Sequence, residues 1–219
     1  MLVAVAGDHP LHCANPEVLL SRLLLARHAE TVWHAENRYA GGRSEPELTD
    51  LGLRQAEQLA KTAVELGVDV VVSSPQRRAV TTATPTAEAL GVPLHLRPDL
   101  REVDFGDLEG HTLSEMDREA VRRFREDPAA NAFPNAEPLQ GAGERCAAAL
   151  REVDAEHDGT VLVVAHSSLF RIGLCVLIGV PVGRYRHVFP LLENAALTEI
   201  RLPADPALPA ALLSMNRLP

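Results

Sequence analysis

An apolar run near the start of the sequence, Leu23-Leu24-Leu25-Ala26, stops at the adjacent pair Arg27 and His28. The run predicts a buried strand, and in an α/β sheet the groups just past the carboxyl end of a strand face the ligand crevice. An arginine there can clamp an oxyanion through two parallel hydrogen bonds, and a histidine can act as nucleophile, base or metal ligand. The pair therefore marks a candidate site.

Two later apolar runs also predict strands that end in polar groups. Residues 68–72 lead through Ser73-Ser74-Pro75 to Arg78, and residues 161–165 run directly into His166. Parallel strands would bring these ends to one edge of a sheet, where guanidinium groups and the N–H groups of a helix start suit phosphoryl oxygens. We therefore expect a phosphate-binding cleft at that edge.

The alternation of helical and strand patterns predicts an α/β fold with a mostly parallel sheet covered on both faces. Helices are predicted over residues 49–67, 75–90, 113–125, 144–156 and 168–178, and further strands over 92–96 and, half-exposed, over 195–202. Residues 100–110 are an acidic loop. Residues 127–143 are rich in proline, alanine, asparagine and glycine, which predicts an irregular excursion.

The length of 219 residues predicts one domain, and its composition of 46% hydrophobic and 23% charged residues is typical of a globular protein. We divide it into an N-terminal extension (1–20), a lid-like insertion (111–143) and a loose Pro/Ala-rich tail (203–219) around the main body. A net charge of −9 argues against binding to nucleic acid or to an anionic membrane.

The three cysteines, Cys13, Cys146 and Cys175, have neither paired nor metal-type spacing. This usage predicts a reducing cytoplasm. We expect neither a signal peptide nor a membrane span, because the apolar start lacks a basic leader and is soon interrupted. No His-Glu-x-x-His pattern or Cys/His ladder indicates a metal site.

Five motifs in order resemble the histidine phosphatase (phosphoglycerate mutase-like) superfamily, and the resemblance runs from about residue 23 to residue 202. The motifs are Leu-Ala-Arg27-His28-Ala-Glu-Thr-Val-Trp with Arg38-Tyr39-Ala40-Gly41, Leu48-Thr49-x-x-Gly52-x-x-Gln55-Ala56, Ser73-Ser74-Pro75-x-x-Arg78-Ala79, Glu102-x-x-x-Gly106-Asp107-x-Glu109-Gly110 and Val164-Ala165-His166-Ser167. The resemblance implies a three-layer α/β/α sandwich and phosphoryl transfer through a phosphohistidine, with no metal or other cofactor.

Within that resemblance His28 is the implied nucleophile, Arg27, Arg78 and His166 hold the phosphoryl oxygens, and Glu102 is the proton donor. The chemistry agrees, because nearby guanidinium groups keep an imidazole neutral and stabilise charge on the transferring group.

Glu102 competes with two other acidic residues for the role of proton donor. Asp104 and Glu109 lie in the same acidic loop, and such loops are usually just hydrated. The Glu-x-x-x-Gly spacing favours Glu102, with Asp104 as the fallback. We expect Arg77, beside Arg78, to point to solvent.

The sequence departs from the family pattern at several positions. Ala29 stands where glycine is usual, and His34 replaces an asparagine that normally contacts phosphate, so His34 is expected to donate a hydrogen bond and to titrate near pH 6–7. Ser167 replaces a common glycine, and its hydroxyl could reach the phosphate. The remaining predicted substrate-binding residues are Thr31, Ala40 and Gly41.

The Gly106-Asp107-Leu108-Glu109-Gly110 stretch favours the phosphatase branch, with a small phosphorylated metabolite as substrate. The Arg122, Arg123 and Arg125 cluster does not supply an obvious second phosphate site, which a mutase requires. A phosphoglycerate mutase-type enzyme and a non-catalytic phospholigand-binding relative remain the alternatives. Because dimers are common in this superfamily, the resemblance also implies a homodimer.

Overall fold

A computed structural model describes residues 21–219; the predicted extension, residues 1–20, lies outside the described residues. The strands are β1 (Arg22–Arg27), β2 (Val70–Ser73), β3 (Leu94–Leu96), β4 (Thr160–Ala165), β5 (Leu197–Arg201) and β6 (Ala211–Arg217). The helices are α1 (Asp50–Glu65), α2 (Arg77–Leu90), α3 (Arg118–Glu126), α4 (Leu139–Glu156), α5 (Ser167–Ile178) and α6 (Tyr185–Val188). Of these helices between residues 21 and 219, none combines the length and apolarity needed to cross a bilayer.

The strands form one sheet in the order β3-β2-β4-β1-β5-β6. β1 and β2 pair in parallel with β4, and β3 pairs in parallel with β2. β5 and β6 run antiparallel at the other side of the sheet. The sheet is therefore mostly parallel, as predicted, and the carboxyl ends of β1, β2 and β4 meet at one edge.

Helices cover both faces of the sheet because the central strands alternate their side chains. Leu23 and Leu25 of β1 pack with residues of α4 and α5, whereas Leu24 and Ala26 pack with residues of α1 and α2. Side chains of successive strand residues point to opposite faces, so an unbroken apolar run is what a strand buried on both sides requires. This arrangement confirms the predicted three-layer α/β/α sandwich.

The C-terminal edge of the sheet differs from the prediction. The tail (203–219) is not loose throughout, because residues 211–217 form β6, and the last predicted strand is not half-exposed, because β6 covers β5. Leu197, Thr198 and Ile200 of β5 are buried between the flanking strands. The prolines that suggested a loose tail lie in the connection between β5 and β6, and the two consecutive strands pair antiparallel across it.

Helix α4 begins at Leu139, inside the stretch predicted to be irregular until residue 143. Two glycines in its first turns, Gly141 and Gly143, made the segment resemble a loop. A Cβ atom at Gly143 would lie 2.8 Å from Ile172 Cγ2 and 2.9 Å from Val176 Cγ2. Gly143 is therefore a packing residue that lets α4 approach α5 closely.

The helix predicted over residues 113–125 is interrupted. A short 3-10 turn covers Leu113–Glu115, and α3 begins anew after Asp117, whose side chain accepts a hydrogen bond from Ala120 N at 2.9 Å. Asp117 thus caps the second segment. Phe124 of α3 packs edge-on against Tyr39, with ring centroids 6.4 Å apart, so α3 contacts the segment between β1 and α1.

Candidate active site

His28 lies directly after β1, and its backbone N–H donates to Ala165 O at the end of β4. Its ring Nδ1 lies 2.8 Å from the carbonyl oxygen of Ala29. Since a carbonyl only accepts hydrogen bonds, Nδ1 carries the proton and Nε2 keeps its lone pair. Burial, followed by the charges of Arg78 and Arg27, holds the pKa of His28 well below its ordinary value, so the ring is neutral near pH 7.

Two guanidinium groups, that of the half-buried Arg27 and that of the buried Arg78, flank this imidazole. Arg27 donates from Nη1 to Leu192 O at 2.7 Å, and burial lowers its pKa to about 10. Arg78, at the start of α2, is fully buried and donates from Nη1 to Ser44 O at 2.6 Å and from Nη2 to Gly41 O at 3.2 Å. These bonds fix both cations beside His28. Arg77 is exposed, as predicted.

His166 is also fully buried, and its ring centroid lies 5.3 Å from that of His28. Its Nε2 is 2.8 Å from Ser74 Oγ, and Ser74 Oγ in turn accepts from Gln76 N at 3.3 Å. The serine proton is available for donation to Nε2, and in that arrangement the proton of His166 lies on Nδ1. Burial and the charge of Arg78 keep the pKa of His166 well below its usual value.

Glu102 places a carboxyl group in the same region. Its Oε1 accepts from Val103 N at 2.9 Å and from Leu169 N at 2.8 Å, and its Oε2 accepts from Ser168 N at 3.2 Å. The last two donors belong to the first turn of α5. Burial nevertheless raises the pKa of Glu102 above its ordinary value, against the opposing influence of these N–H groups and of Arg78. A raised pKa is what a general acid at neutral pH requires.

These groups surround a cleft of about 380 Å³. Most of the predicted site residues line it: Arg27, His28, Thr31, His34, Ala40, Glu102 and Ser167. Arg78, His166 and Gly41 do not line it and lie behind its wall. The strand ends and the acidic loop therefore converge as the sequence predicted, while part of the predicted phosphate-binding set lies beneath the surface of the cleft.

The environment of His34 differs from the prediction. Its Nε2 lies 2.5 Å from Arg27 Nη2 and its Nδ1 lies 2.9 Å from Thr31 Oγ1. Burial, followed by the charge of Arg27, lowers its pKa to about 4, so the expected titration near pH 6–7 is wrong. A guanidinium nitrogen can only donate, so Nε2 is an acceptor that helps to orient Arg27.

Two small residues near the site serve the local packing. The Gly41 carbonyl accepts from Arg78 and from Gln76, and a Cβ at Gly41 would overlap the Glu109 carboxylate. Ala29 is buried and is absent from the residues of 21–219 that have a positive φ, so the alanine fits its turn without strain.

Sequence reasoning missed three polar residues at the cleft. Asn194 donates from Nδ2 to His28 O at 3.0 Å, and Arg171 and Arg186 line the cleft wall. Asn194 precedes Ala195, which has a φ of 59° and donates its N–H to Arg27 O at 3.0 Å. A non-glycine residue in this region is a sign of a constrained functional turn, but it is visible only in the structure.

Within residues 21–219 no three His, Cys, Asp or Glu side chains are grouped so that they could hold a metal ion. The positive charge of the site comes from guanidinium groups.

Comparison with known proteins identifies the class to which this fold and site belong. The family model described as histidine phosphatase superfamily (branch 1) matches residues 23–208. The chain therefore belongs to the histidine phosphatase superfamily, as its motifs predicted.

Individual relatives point the same way. Phosphoserine phosphatase 1 of Hydrogenobacter thermophilus is 34% identical over 168 residues, covering 75% of this chain and 79% of the relative. A Cronobacter sakazakii protein named "Probable phosphoglycerate mutase GpmB" is 31% identical, with 84% and 86% covered. A mycobacterial glucosyl-3-phosphoglycerate phosphatase, solved with VO3, superimposes with a TM-score of 0.80 at 27% identity, covering 90% of this chain and 99% of that one. The chain is a phosphoric monoester hydrolase of this superfamily.

Proposed function

We propose that this phosphatase hydrolyses a small-molecule phosphomonoester through a phosphohistidine formed on His28 Nε2. The neutral ring with its proton on Nδ1 supports this role, because the Nε2 lone pair is then available to attack phosphorus. The Ala29 carbonyl that accepts the hydrogen bond from Nδ1–H also fixes the direction of the Nε2 lone pair.

The observation that carries the proposal is a set of buried donors without partners around this imidazole. Of the seven buried side-chain nitrogen and oxygen atoms in residues 21–219 that have no hydrogen-bond partner, three belong to this group: Arg27 Nε, Arg78 Nε and His166 Nδ1. A buried unsatisfied donor costs about 1–3 kcal/mol, so folded proteins rarely keep several in one place without a purpose. A phosphoryl group on His28 would supply oxygen acceptors for such donors, and the two arginines would balance its charge.

Glu102 carries the proton in both steps of the proposed reaction. In the first, Nε2 bonds to phosphorus while the bond to the ester oxygen breaks, and that oxygen takes the carboxyl proton. In the second, the Glu102 carboxylate takes a proton from water, the water oxygen bonds to phosphorus and the P–N bond breaks. Inorganic phosphate leaves, and Glu102 is protonated again.

The substrate class is a small phosphorylated metabolite. The named relatives include phosphatases of phosphoserine and of glucosyl-3-phosphoglycerate, and a cleft of about 380 Å³ suits a ligand of a few to a dozen or so heavy atoms. A phosphomutase is the second candidate, because one relative carries a mutase name. A mutase would transfer the phosphoryl group to a second substrate oxygen and release little inorganic phosphate.

The test is phosphate release from p-nitrophenyl phosphate by wild type, His28→Ala and His95→Ala. His95 is an exposed histidine on β3 and serves as the matched control. We expect His28→Ala to lose all measurable turnover and His95→Ala to keep it, with EDTA leaving the rate unchanged. Rapid denaturation during turnover should trap an acid-labile phosphoryl group on wild type and on His95→Ala, but not on His28→Ala. Substantial activity in His28→Ala would contradict the assignment of the nucleophile.

Several expectations stay predictions beside this proposal: a cytoplasmic location, a homodimer, the absence of nucleic-acid binding, and a lid over residues 111–143 that selects the substrate.

A further inference from the structure

Two arginines on the cleft wall, Arg171 and Arg186, are held entirely by neutral partners. Arg171 donates from Nε to Phe189 O at 2.5 Å and from Nη2 to Pro190 O at 3.2 Å. Arg186 donates from Nη1 to Tyr185 Oη at 3.0 Å and from Nη2 to Tyr39 Oη at 3.1 Å. Within the described part of the chain neither guanidinium forms an ion pair with a carboxylate.

Aromatic rings fix the same two side chains. The Arg171 guanidinium carbon lies 4.8 Å from the Tyr185 ring centroid, and that of Arg186 lies 5.4 Å from the centroid of Phe124. Such contacts orient a guanidinium without neutralising it. Arg171 is 8% exposed, and burial lowers its pKa, which shows that its charge is held against a desolvation cost.

The charges of the cleft show that these two cations are surplus to the reaction at phosphorus. A phosphomonoester dianion is matched by Arg27 and Arg78 beside His28. Arg38, the remaining arginine of the cleft, is already paired with Glu36 at 2.7 Å and with Glu115 at 3.4 Å. Glu102 is the one acidic side chain among the lining residues described.

We propose that Arg171 and Arg186 form a second anion site, which binds a carboxylate carried by the substrate. The inference rests on the proposed function and narrows its substrate to phosphorylated organic acids. A carboxylate suits the site because it is planar and singly charged, and guanidinium N–H groups match its two oxygens. His28, Arg171 and Arg186 line the same cleft of about 380 Å³, so one small ligand bound there can contact both sites.

The test compares two substrates that differ only in the carboxylate, O-phosphoserine and O-phosphoethanolamine. The readout is the ratio of their kcat/KM values, which is insensitive to a general loss of activity. Hydrogen bonds to a charged group predict a ratio of about 10- to 100-fold in favour of phosphoserine for wild type. We expect Arg186→Gln to reduce the ratio to below about threefold, by the loss of one charged partner and its orientation.

Arg184→Gln is the matched control, because Arg184 is an exposed neighbour that does not line the cleft. It should keep the wild-type ratio. Arg186→Met is a second variant, in which the side chain keeps its apolar contact with Phe124 while losing the charge. Thermal unfolding shows whether each Arg186 variant is folded. One folded Arg186 variant is enough to measure the ratio of the two kcat/KM values.

Three results would overturn the inference. The first is a wild-type ratio near one, and the second is an equal fall of both kcat/KM values in the Arg186 variants, as a structural role predicts. The third is an equal fall of the ratio in Arg184→Gln. In each case, turnover of p-nitrophenyl phosphate that depends on His28 would leave the proposed function standing. If turnover of p-nitrophenyl phosphate did not depend on His28, the proposed function itself would be wrong.

Discussion

Replacing Glu102 with glutamine separates the proton-transfer role of this residue from its structural role. The Gln Oε1 can keep the hydrogen bonds from Val103 N and Leu169 N, which both reach Oε1 in the native carboxyl group. The new amide NH2 takes the place of Oε2 and faces Ser168 N, which is also a donor. The variant therefore loses the transferable proton and one of three backbone hydrogen bonds.

The magnitudes follow from these two losses. One unsatisfied buried donor costs about 1–3 kcal/mol, which in a domain of this size lowers Tm by about 2–12 °C. The loss of general acid catalysis slows cleavage of an alkyl phosphate by about 10²- to 10⁴-fold. Because p-nitrophenolate leaves without a proton, cleavage of p-nitrophenyl phosphate should slow by less than about tenfold in the same first step.

Rapid-mixing kinetics at pH 7 provides the assay. With p-nitrophenyl phosphate, Glu102→Gln should still phosphorylate His28 quickly but hydrolyse the phosphohistidine slowly, because no carboxylate activates the water. A burst of one p-nitrophenolate per active site should precede a slow steady state. With an alkyl phosphate the first step is itself slow, so no burst is expected.

The matched control is Glu109→Gln. Glu109 is a second shielded carboxylate that accepts from Ser44 Oγ and from backbone N–H groups but does not line the cleft. Glu109→Gln should have a lower Tm than wild type, but it should show no burst of p-nitrophenolate. Equal slowing of the alkyl and aryl substrates in the first step of Glu102→Gln, or a steady state without a burst, would refute the assignment of Glu102.

Three further predictions concern pH, a positioning residue and a turn. His28 and His166 have pKa values well below 6.5 in the folded state, so the unfolded chain binds protons first on acidification, and stability is full above pH 6.5 and lost below it. Each should cost about 1 kcal/mol between pH 6.5 and 5.5, and His34, with its pKa of about 4, adds a similar loss. The total is measured by urea unfolding, and a flat profile would contradict the burial of these rings in neutral form. Ser74→Ala should lower kcat by about 10- to 100-fold and shift the His166 tautomer in ¹⁵N spectra, with recovery in Ser74→Thr; an unchanged tautomer would exclude this role. Gly106→Ala should cost more than about 2 kcal/mol in thermal unfolding, because φ is +58° and a Cβ would overlap a carbonyl, against about 1 kcal/mol for Gly67→Ala, where φ is +66° and nothing lies within 4 Å; similar costs would count against the overlap.

The central sheet and the convergence of its strand ends could be predicted from the sequence because both depend on local patterns. A strand buried on two faces must be apolar at every position, and a change to polar residues then marks its end. This holds for β1 before Arg27 and for β4 before His166. The common edge follows from the parallel pairing that alternating helices impose.

The rest depends on contacts between residues far apart in the sequence. Gly143 is helical because α5 packs beside it, and this contact has no local signal. β6 is instead the second strand of a hairpin with β5, and the prolines of the connection hid it from sequence reasoning. Arg171 is a single charged residue in a segment whose apolar pattern predicts a core helix, and Arg186 lies in a segment that was predicted to be neither helix nor strand. Their relation to His28 appears only when α5 and α6 are placed at the cleft.

His34 shows a different limit. Its place in the motif predicts its position beside Arg27, but the pKa of a free imidazole, near 6.5, does not predict how His34 titrates in the folded protein. Burial and one adjacent cation lower that pKa to about 4. The type of a residue gives its unperturbed titration, whereas its surroundings decide the charge that it carries.

The position of β1 in the sheet bears on how the protein is made. β1 leaves the ribosome among the first described elements, yet its two partners are β4 and β5, which are translated about 130 to 180 residues later. Its backbone N–H and C=O groups stay without their native partners until most of the chain has been synthesised. Because such long-range pairing slows folding, a nascent chain halted before β5 should expose an aggregation-prone apolar strand and have no enzymatic activity.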